Sequence, residues 1–342
     1  MIKLSIIIPV YNVEDYIAST IKSLFDQHDP AVEYIFVDDC GSDNSWHVLE
    51  NTLKLYPESA KTSNLIRLPQ NGGVENARIC GLQQAKGEYI WFVDSDDLVA
   101  EGAINAILQT LAECPVDYLA INLKLLPGGV VISPVDGIVK YKPIAPEKLF
   151  YGIISYTGKH GAVCNIVKRE LTLKHPMMRT ALKIAEDYVM HCCWSVFAES
   201  AAVLENPVYG YVMRPQSVMR KSKSRDIMQA TLSALQNLDD FSETLPEQKK
   251  ILFLQGLKIA KIKMRLLFFI DILNNHDKTD FNDLMQYQIA AEYSLLQDIG
   301  KLPLELRPIM FCDRFKWYGL MRCYTKMCRA IKKSLQVITG SK

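Results

Sequence analysis

Short apolar runs alternate with helical stripes along the first third of the chain. Leu4–Val10 is a β-rich run ended by Pro9 and Asn12. Ile17, Ile21, Leu24 and Phe25 then recur at helical spacing, with Asn12 as the expected cap. Tyr34–Val37 is a second buried-strand pattern that stops at Asp38-Asp39. Ser42 or Asp43 is placed to cap a helix carrying Trp46, Leu49 and Leu53. Leu65–Leu68 predicts a third strand, followed by Asn71-Gly72-Gly73. In the next helix Ala77, Gly81 and Ala85 are small enough for close packing on a sheet. Tyr89–Val93 predicts a fourth strand. A helix with Ile104, Ile107, Leu108 and Leu111 follows, and Tyr118–Leu123 resumes strand character.

Strands and helices in this alternation predict βαβ units, hence an α/β domain with a mostly parallel sheet flanked by helices. Pro127-Gly128-Gly129 between two β-rich runs predicts a hairpin. From about Arg225 the pattern turns helical, and Leu252–Leu273 is strongly apolar with interspersed lysines. The expected division is a domain over 1–222 and a helical C-terminal region over 223–342. A length of 342 residues agrees with two domains.

Composition narrows the classes. Hydrophobic residues make up 49% and charged residues 23%, enough for a sizeable core. A net charge of +1 provides no general field for nucleic acid. Nine cysteines without a C-x-x-C pair suggest buried thiols in a reducing compartment, and six scattered histidines lack zinc-ligand spacing. No signal peptide and no apolar run of about 18 residues is visible, so a cytoplasmic location is expected.

The chemistry gathers at strand ends. Asp94, Asp96 and Asp97 follow the Tyr89–Val93 run, where open α/β sheets bind ligands. Carboxylates this close repel one another unless a cation neutralises them, and oxygen-only donors suit Mg²⁺ or Mn²⁺ shared with substrate phosphates. A helix cap and solvated turn would use the same residues, and Asp97 is expected to cap the following helix. In a parallel sheet Pro9–Asn12, Asp38-Asp39 and the aspartate cluster share one edge. Arg78 can add positive charge near phosphates or hold Asp94, or form a surface ion pair.

Read in order, Ser5–Asn12, Val37-Asp38-Asp39, Asn71-x-Gly73 with Ala77-Arg78, Gly87-Glu88-Tyr89 and Phe92–Asp97 resemble the family 2 glycosyltransferases, which have the GT-A nucleotide-diphospho-sugar fold. The likeness is dense over about residues 3–115 and sparser to about 222. It implies inverting transfer from a nucleotide-sugar donor, expected to be a UDP-sugar, to a hydroxyl of a saccharide or lipid-linked saccharide acceptor, in surface polysaccharide synthesis. On this resemblance Pro9, Val10 and Tyr11 line the base and ribose pocket, and Asp39 hydrogen-bonds the nucleobase. Asp94 faces ribose and metal beside Ser95, and Asp96 coordinates Mn²⁺ or Mg²⁺. Glu186-Asp187 resembles the family's acidic pair before a helix, with Asp187 as base and Glu186 contacting acceptor or tuning the proton affinity. Apart from the family, an acidic pair at a helix N-terminus is favoured by the helix dipole alone.

Tyr209-x-Tyr211-x-x-Arg214 resembles the segment that closes such a domain. Arg214 is placed either to pair with a diphosphate or to stand exposed on a strand. Trp194 could stack on a sugar or fill the core. Departures from the family pattern are Cys40 in the turn after Asp39, Ile79 after Arg78, and Cys164 and Ile166 around Asn165, on the acceptor side.

Residues 312–342 carry eight basic residues against Asp313, a net +7, interleaved with aromatics. This predicts a membrane-surface element at the inner face or a packed terminal helix with a solvated basic face. A nucleotidyltransferase is a competing class, but Pro9–Asn12 lacks the Gly-rich basic loop it needs. A catalytically silent nucleotide-sugar-binding protein would not need intact Asp94, Asp96 and Asp187.

Overall fold

In the computed structural model the described residues are 2–127, 131–135, 137–155, 161–176, 179–214, 224–275 and 306–314. The expected hairpin at 128–129 and the basic segment beyond 314 lie outside them. The chain divides into two compact units, Met1–Lys221 and Ser222–Lys342.

In the first unit the parallel strands β1 (Leu4–Val10), β2 (Val32–Asp38), β3 (Ser63–Arg67) and β4 (Tyr89–Phe92) stand in the order β3-β2-β1-β4. β1, β2 and β4 are buried along their whole length, which is why their sequences are apolar on both faces. β3 is an edge strand and exposes Leu65. The helices between them are α1 (Ile17–Phe25), α2 (Ser45–Leu53), α3 (Pro57–Lys61) and α4 (Gly73–Gln84).

β5 (Leu98–Val99) and α5 (Ala103–Glu113) come next, and then β6 (Tyr118–Leu126), β7 (Tyr141–Ile144) and α6 (Pro146–Ile154). After them lie β8 (Asn165–Lys168), α7 (Arg169–Lys174), α8 (Glu186–Ser195) and β9 (Ala201–Val212). β8 joins β4 to β6 by antiparallel pairing. β9 lies parallel to β6 and antiparallel to β5 and β7. The sheet is thus parallel through β3–β4 and mixed beyond.

The two faces of β1 divide the core. Leu4, Ile6, Ile8 and Val10 pack in one cluster with Ile17, Ile21, Leu24 and Phe25 of α1, the stripe expected from the helical spacing. Ile7 points the other way, against α4. A Cβ at Gly81 would collide with the Ile7 side chain, so glycine there permits the approach of helix to sheet.

Local structure corrects two expectations and decides between the two readings of Trp194. α1 begins at Ile17 after Tyr16, so Asn12 does not cap it. Asn12 instead adopts φ +51°, and its Oδ1 accepts the Ser42 N–H at 2.9 Å. Asp97 does not cap α5, because β5 intervenes and Gly102 occupies the cap position. Trp194 is buried, with its indole N–H donating to the His175 carbonyl at 2.8 Å, and belongs to the core.

The second unit contains α9 (Ser224–Ser242), α10 (Glu247–Asn275) and α11 (Arg307–Arg314). α9 and α10 bury Leu235, Leu238, Phe253 and Leu257, and meet in an edge-to-face Phe241–Phe253 contact at 5.4 Å. Lys261 of α10 reaches both oxygens of Asp239 at 2.6 and 2.7 Å. Among the described residues no helix is long and apolar enough to cross a membrane.

Candidate active site

The carboxyl ends of β1, β2 and β4 lie side by side, and the turns leaving them are tied together by side chains. The Asp39 N–H donates to the Val10 carbonyl at 2.9 Å. Asp39 Oδ1 accepts the Gly72 N–H at 2.7 Å, and Asn71 Nδ2 donates to the Asp39 carbonyl at 3.0 Å. Gly73 opens α4 at φ +82°, a left-handed conformation that disfavours any residue with a Cβ. The Asp38 carboxylate is held by Arg67 Nε and the Gly41 N–H, both at 3.1 Å. Pro9 and Val10 are buried in β1, whereas Tyr11 is 49% exposed and is the accessible member of that segment.

Past β4, carboxylate oxygens of Asp94, Asp96 and Asp97 lie within 4.8 Å of one another. They do not have equal roles. Asp97 is 1% exposed; its Oδ2 accepts the Tyr209 hydroxyl at 2.7 Å and its Oδ1 the Val212 N–H at 2.8 Å. The same Tyr209 oxygen accepts the Asp94 N–H at 3.1 Å. Burial first, and then the charge of Asp94, push the Asp97 carboxyl up to about 7. Asp94 and Asp96 are only partly buried. Two hard oxygen donors on one turn, beside a third held neutral more easily, suit a divalent cation. Ser95 is buried, and its carbonyl accepts the Thr20 hydroxyl at 2.9 Å, which fixes the turn to α1.

Arg214, just beyond β9, forms an ion pair with Asp96 and lies 4.9 Å over the Tyr16 ring. Burial lowers its proton affinity, and Tyr16 and Asp94 act in the opposite direction. The exposed-strand reading of Arg214 therefore fails, since the guanidinium sits on the aspartate cluster.

Arg78 joins this cluster to α8. Its guanidinium donates to Asp94 Oδ1 at 3.2 Å and to Glu186 Oε1 at 2.7 Å, and it sits 5.8 Å over the Phe92 ring. The Arg78 side chain is 5% exposed, so the surface-pair reading does not apply. Burial opposes its charge, but Asp94, Glu186 and Asp187 outweigh that and raise its proton affinity. Glu186 is itself buried. Its carboxyl is pushed up by that burial and by Asp187, with Arg78 opposing. Asp187 is partly exposed, and its Oδ2 accepts the Ala162 N–H at 3.2 Å. Asp94, Arg78, Glu186 and Asp187 are thus contiguous.

The sequence reading missed Tyr16 and Glu75 and the fastening role of Tyr209. Glu75 stands three residues before Arg78 on one helix face, a spacing visible in the sequence. Its partners, Thr180 and Ala181, come from an irregular loop that no periodicity marks.

Comparison with known proteins gives concordant matches. The family model for Glycosyl transferase family 2 matches residues 5–128. TuaG of Bacillus subtilis (strain 168), named as a glycosyltransferase of teichuronic acid biosynthesis, is 30% identical over 185 residues, covering 53% of this chain and 69% of TuaG. The poly(ribitol-phosphate) beta-N-acetylglucosaminyltransferase TarS of Staphylococcus aureus (strain Mu50) is 33% identical over 221 residues, 63% of this chain. That alignment spans only 36% of TarS. The crystal structure of TarS residues 1–349 in complex with UDP-GlcNAc superposes with a TM-score of 0.67 at 21% identity, covering 96% of this chain and 92% of that one. That likeness establishes a shared GT-A fold.

Proposed function

This chain belongs to glycosyl transferase family 2, and on that footing we propose that it moves a sugar from a UDP-sugar, with inversion, to a hydroxyl of a saccharide or lipid-linked saccharide in the synthesis of a surface polysaccharide of the teichoic acid kind. The supporting observation is the Arg78 bridge. It brings the aspartates after β4 and the acidic pair of α8 into one contiguous group. The family's donor-side and acceptor-side acids are expected to meet in this way.

In this reading Tyr11 and Asp39 border the nucleoside pocket, with Asp39 directed to the base. Asp96 and Asp94 would hold Mn²⁺ or Mg²⁺, while Asp97 braces the turn. When bound, the ion supplies positive charge against the charge developing on the leaving diphosphate. Arg214 adds a second cation beside the same carboxylates. Asp187 takes the proton of the acceptor hydroxyl as it attacks the anomeric carbon, and a single displacement inverts that carbon. Arg78 and the neighbouring Glu186 hold the base-bearing helix against the donor side.

A thermal-shift screen of nucleotide sugars with Mn²⁺ selects the donor, because a ligand stabilises according to its affinity. With that donor, Asp96→Ala is expected to abolish metal-dependent turnover. Asp187→Asn should keep donor binding and lose about 10²- to 10⁴-fold in transfer to a saccharide or polyol-phosphate acceptor. Normal transfer by Asp187→Asn would refute its role as base.

A further inference from the structure

The loop that delivers Glu186 and Asp187 is held by a second side chain of α4 besides Arg78. Glu75 is buried in the first turn of that helix. Its Oε1 accepts the Thr180 N–H at 2.8 Å and the Thr180 hydroxyl at 2.7 Å. Its Oε2 accepts the Ala181 N–H at 3.2 Å, and Thr180 Oγ1 in turn accepts the Leu182 N–H at 3.2 Å. One carboxylate thus organises three consecutive residues of the loop.

The loop needs such a hold. Ala181 adopts φ +55° and Ala185 φ +69°, left-handed conformations taken by residues that have a Cβ. Each is strained and persists only where neighbours over-determine it. Glu75 grips the loop at the first of these residues. Arg78 grips Glu186, the residue directly after the second. Glu75 and Arg78 are one turn apart on the same helix, so α4 clamps both ends of the segment that leads into Asp187. The same helix begins at the Gly72 amide held by Asp39. Its position is therefore referenced to the donor side.

We propose that Glu75 is a positioning residue for transfer: through Thr180 and Ala181 it sets where Asp187 stands relative to the donor. The inference rests on Asp187 being the base. Among the described residues Glu75 forms no side-chain hydrogen bond or ion pair with Asp94 or Arg78, so its effect separates from donor binding. Arg78, in direct contact with Asp94, does not allow that separation.

The test uses the full chain with Glu75→Gln and Thr180→Val, alone and together. Binding of the screened nucleotide sugar with Mn²⁺ is measured by calorimetry, and transfer as kcat and acceptor KM. The expected result is donor affinity within about twofold of the parent and kcat lowered at least tenfold. The double variant should be no worse than the poorer single, because both changes break one link. Donor binding also checks folding, since an unfolded chain binds none. The clamp is overturned if transfer is unchanged, if donor affinity falls in step with transfer, or if the two losses multiply. The base assignment fails separately, through an active Asp187→Asn. A dead Asp187→Asn beside a fully active Glu75→Gln would retain the base and discard the clamp.

Discussion

Asp97 shows how far one residue can depart from the role its neighbours suggest. It stands beside two carboxylates suited to a cation, yet both its oxygens are taken by Tyr209 and Val212. With the carboxyl pushed up to about 7 and an unfolded value near 4, the folded chain binds a proton over that interval that the unfolded chain has released. Stability from this group is therefore complete below about pH 4 and is lost as pH rises through 7, with a slope of at most about 1.4 kcal/mol per pH unit. Urea unfolding in EDTA between pH 4 and 8 should show that decline in the parent and a flatter profile in Asp97→Asn. Coincident slopes would show that the carboxyl ionises freely in the fold. The sequence placed Asp97 in the acidic cluster but made it a cap, because a bond to Tyr209, over a hundred positions away, leaves no local trace.

At the scale of elements, α4 carries the most constraints. Its outer end meets the Asp39 turn, Glu75 and Arg78 reach the α8 loop, and Gly81 lies against Ile7 of β1. Alanine would raise intrinsic helix propensity at position 81 by up to about 1 kcal/mol. Overpacking against β1 costs about 1–3 kcal/mol and should win. Gly81→Ala is therefore expected to lower the thermal midpoint by several degrees, and an unchanged or higher midpoint would show that β1 yields. The small residues of α4 were legible because close packing needs them every turn or so. The strands were legible because a doubly covered sheet requires continuous apolar runs. The Glu75 and Thr180 contact was not, since an irregular loop follows no period. Arg214 was legible as a candidate, but its partner Asp96 could be found only in three dimensions.

At the scale of the whole molecule, the first unit contains every residue assigned to the proposed chemistry. The basic segment after residue 311 is a separate question of location. If it binds an anionic surface, flotation with phosphatidylglycerol vesicles should fall at least tenfold for a chain ending at 311 and weaken with salt. Equal flotation of the two chains would assign the charge to a solvated helix face. The family match covers 5–128, where motifs are local and dense. Beyond it the sequence still revealed the acidic pair of α8, because two adjacent carboxylates opening a helical pattern are visible without any distant partner.

The site is held by links between distant parts of the chain. Arg78 and Glu186 are 108 positions apart, and Asp97 and Val212 are 115 apart. Closing such spans costs entropy before any contact repays it. During synthesis the strands β1 to β4 are made long before their partners in the proposed site exist. A nascent chain shorter than about 214 residues lacks the last of those partners, Arg214. The proposed site therefore cannot be complete in a growing polypeptide before residue 214 has been added.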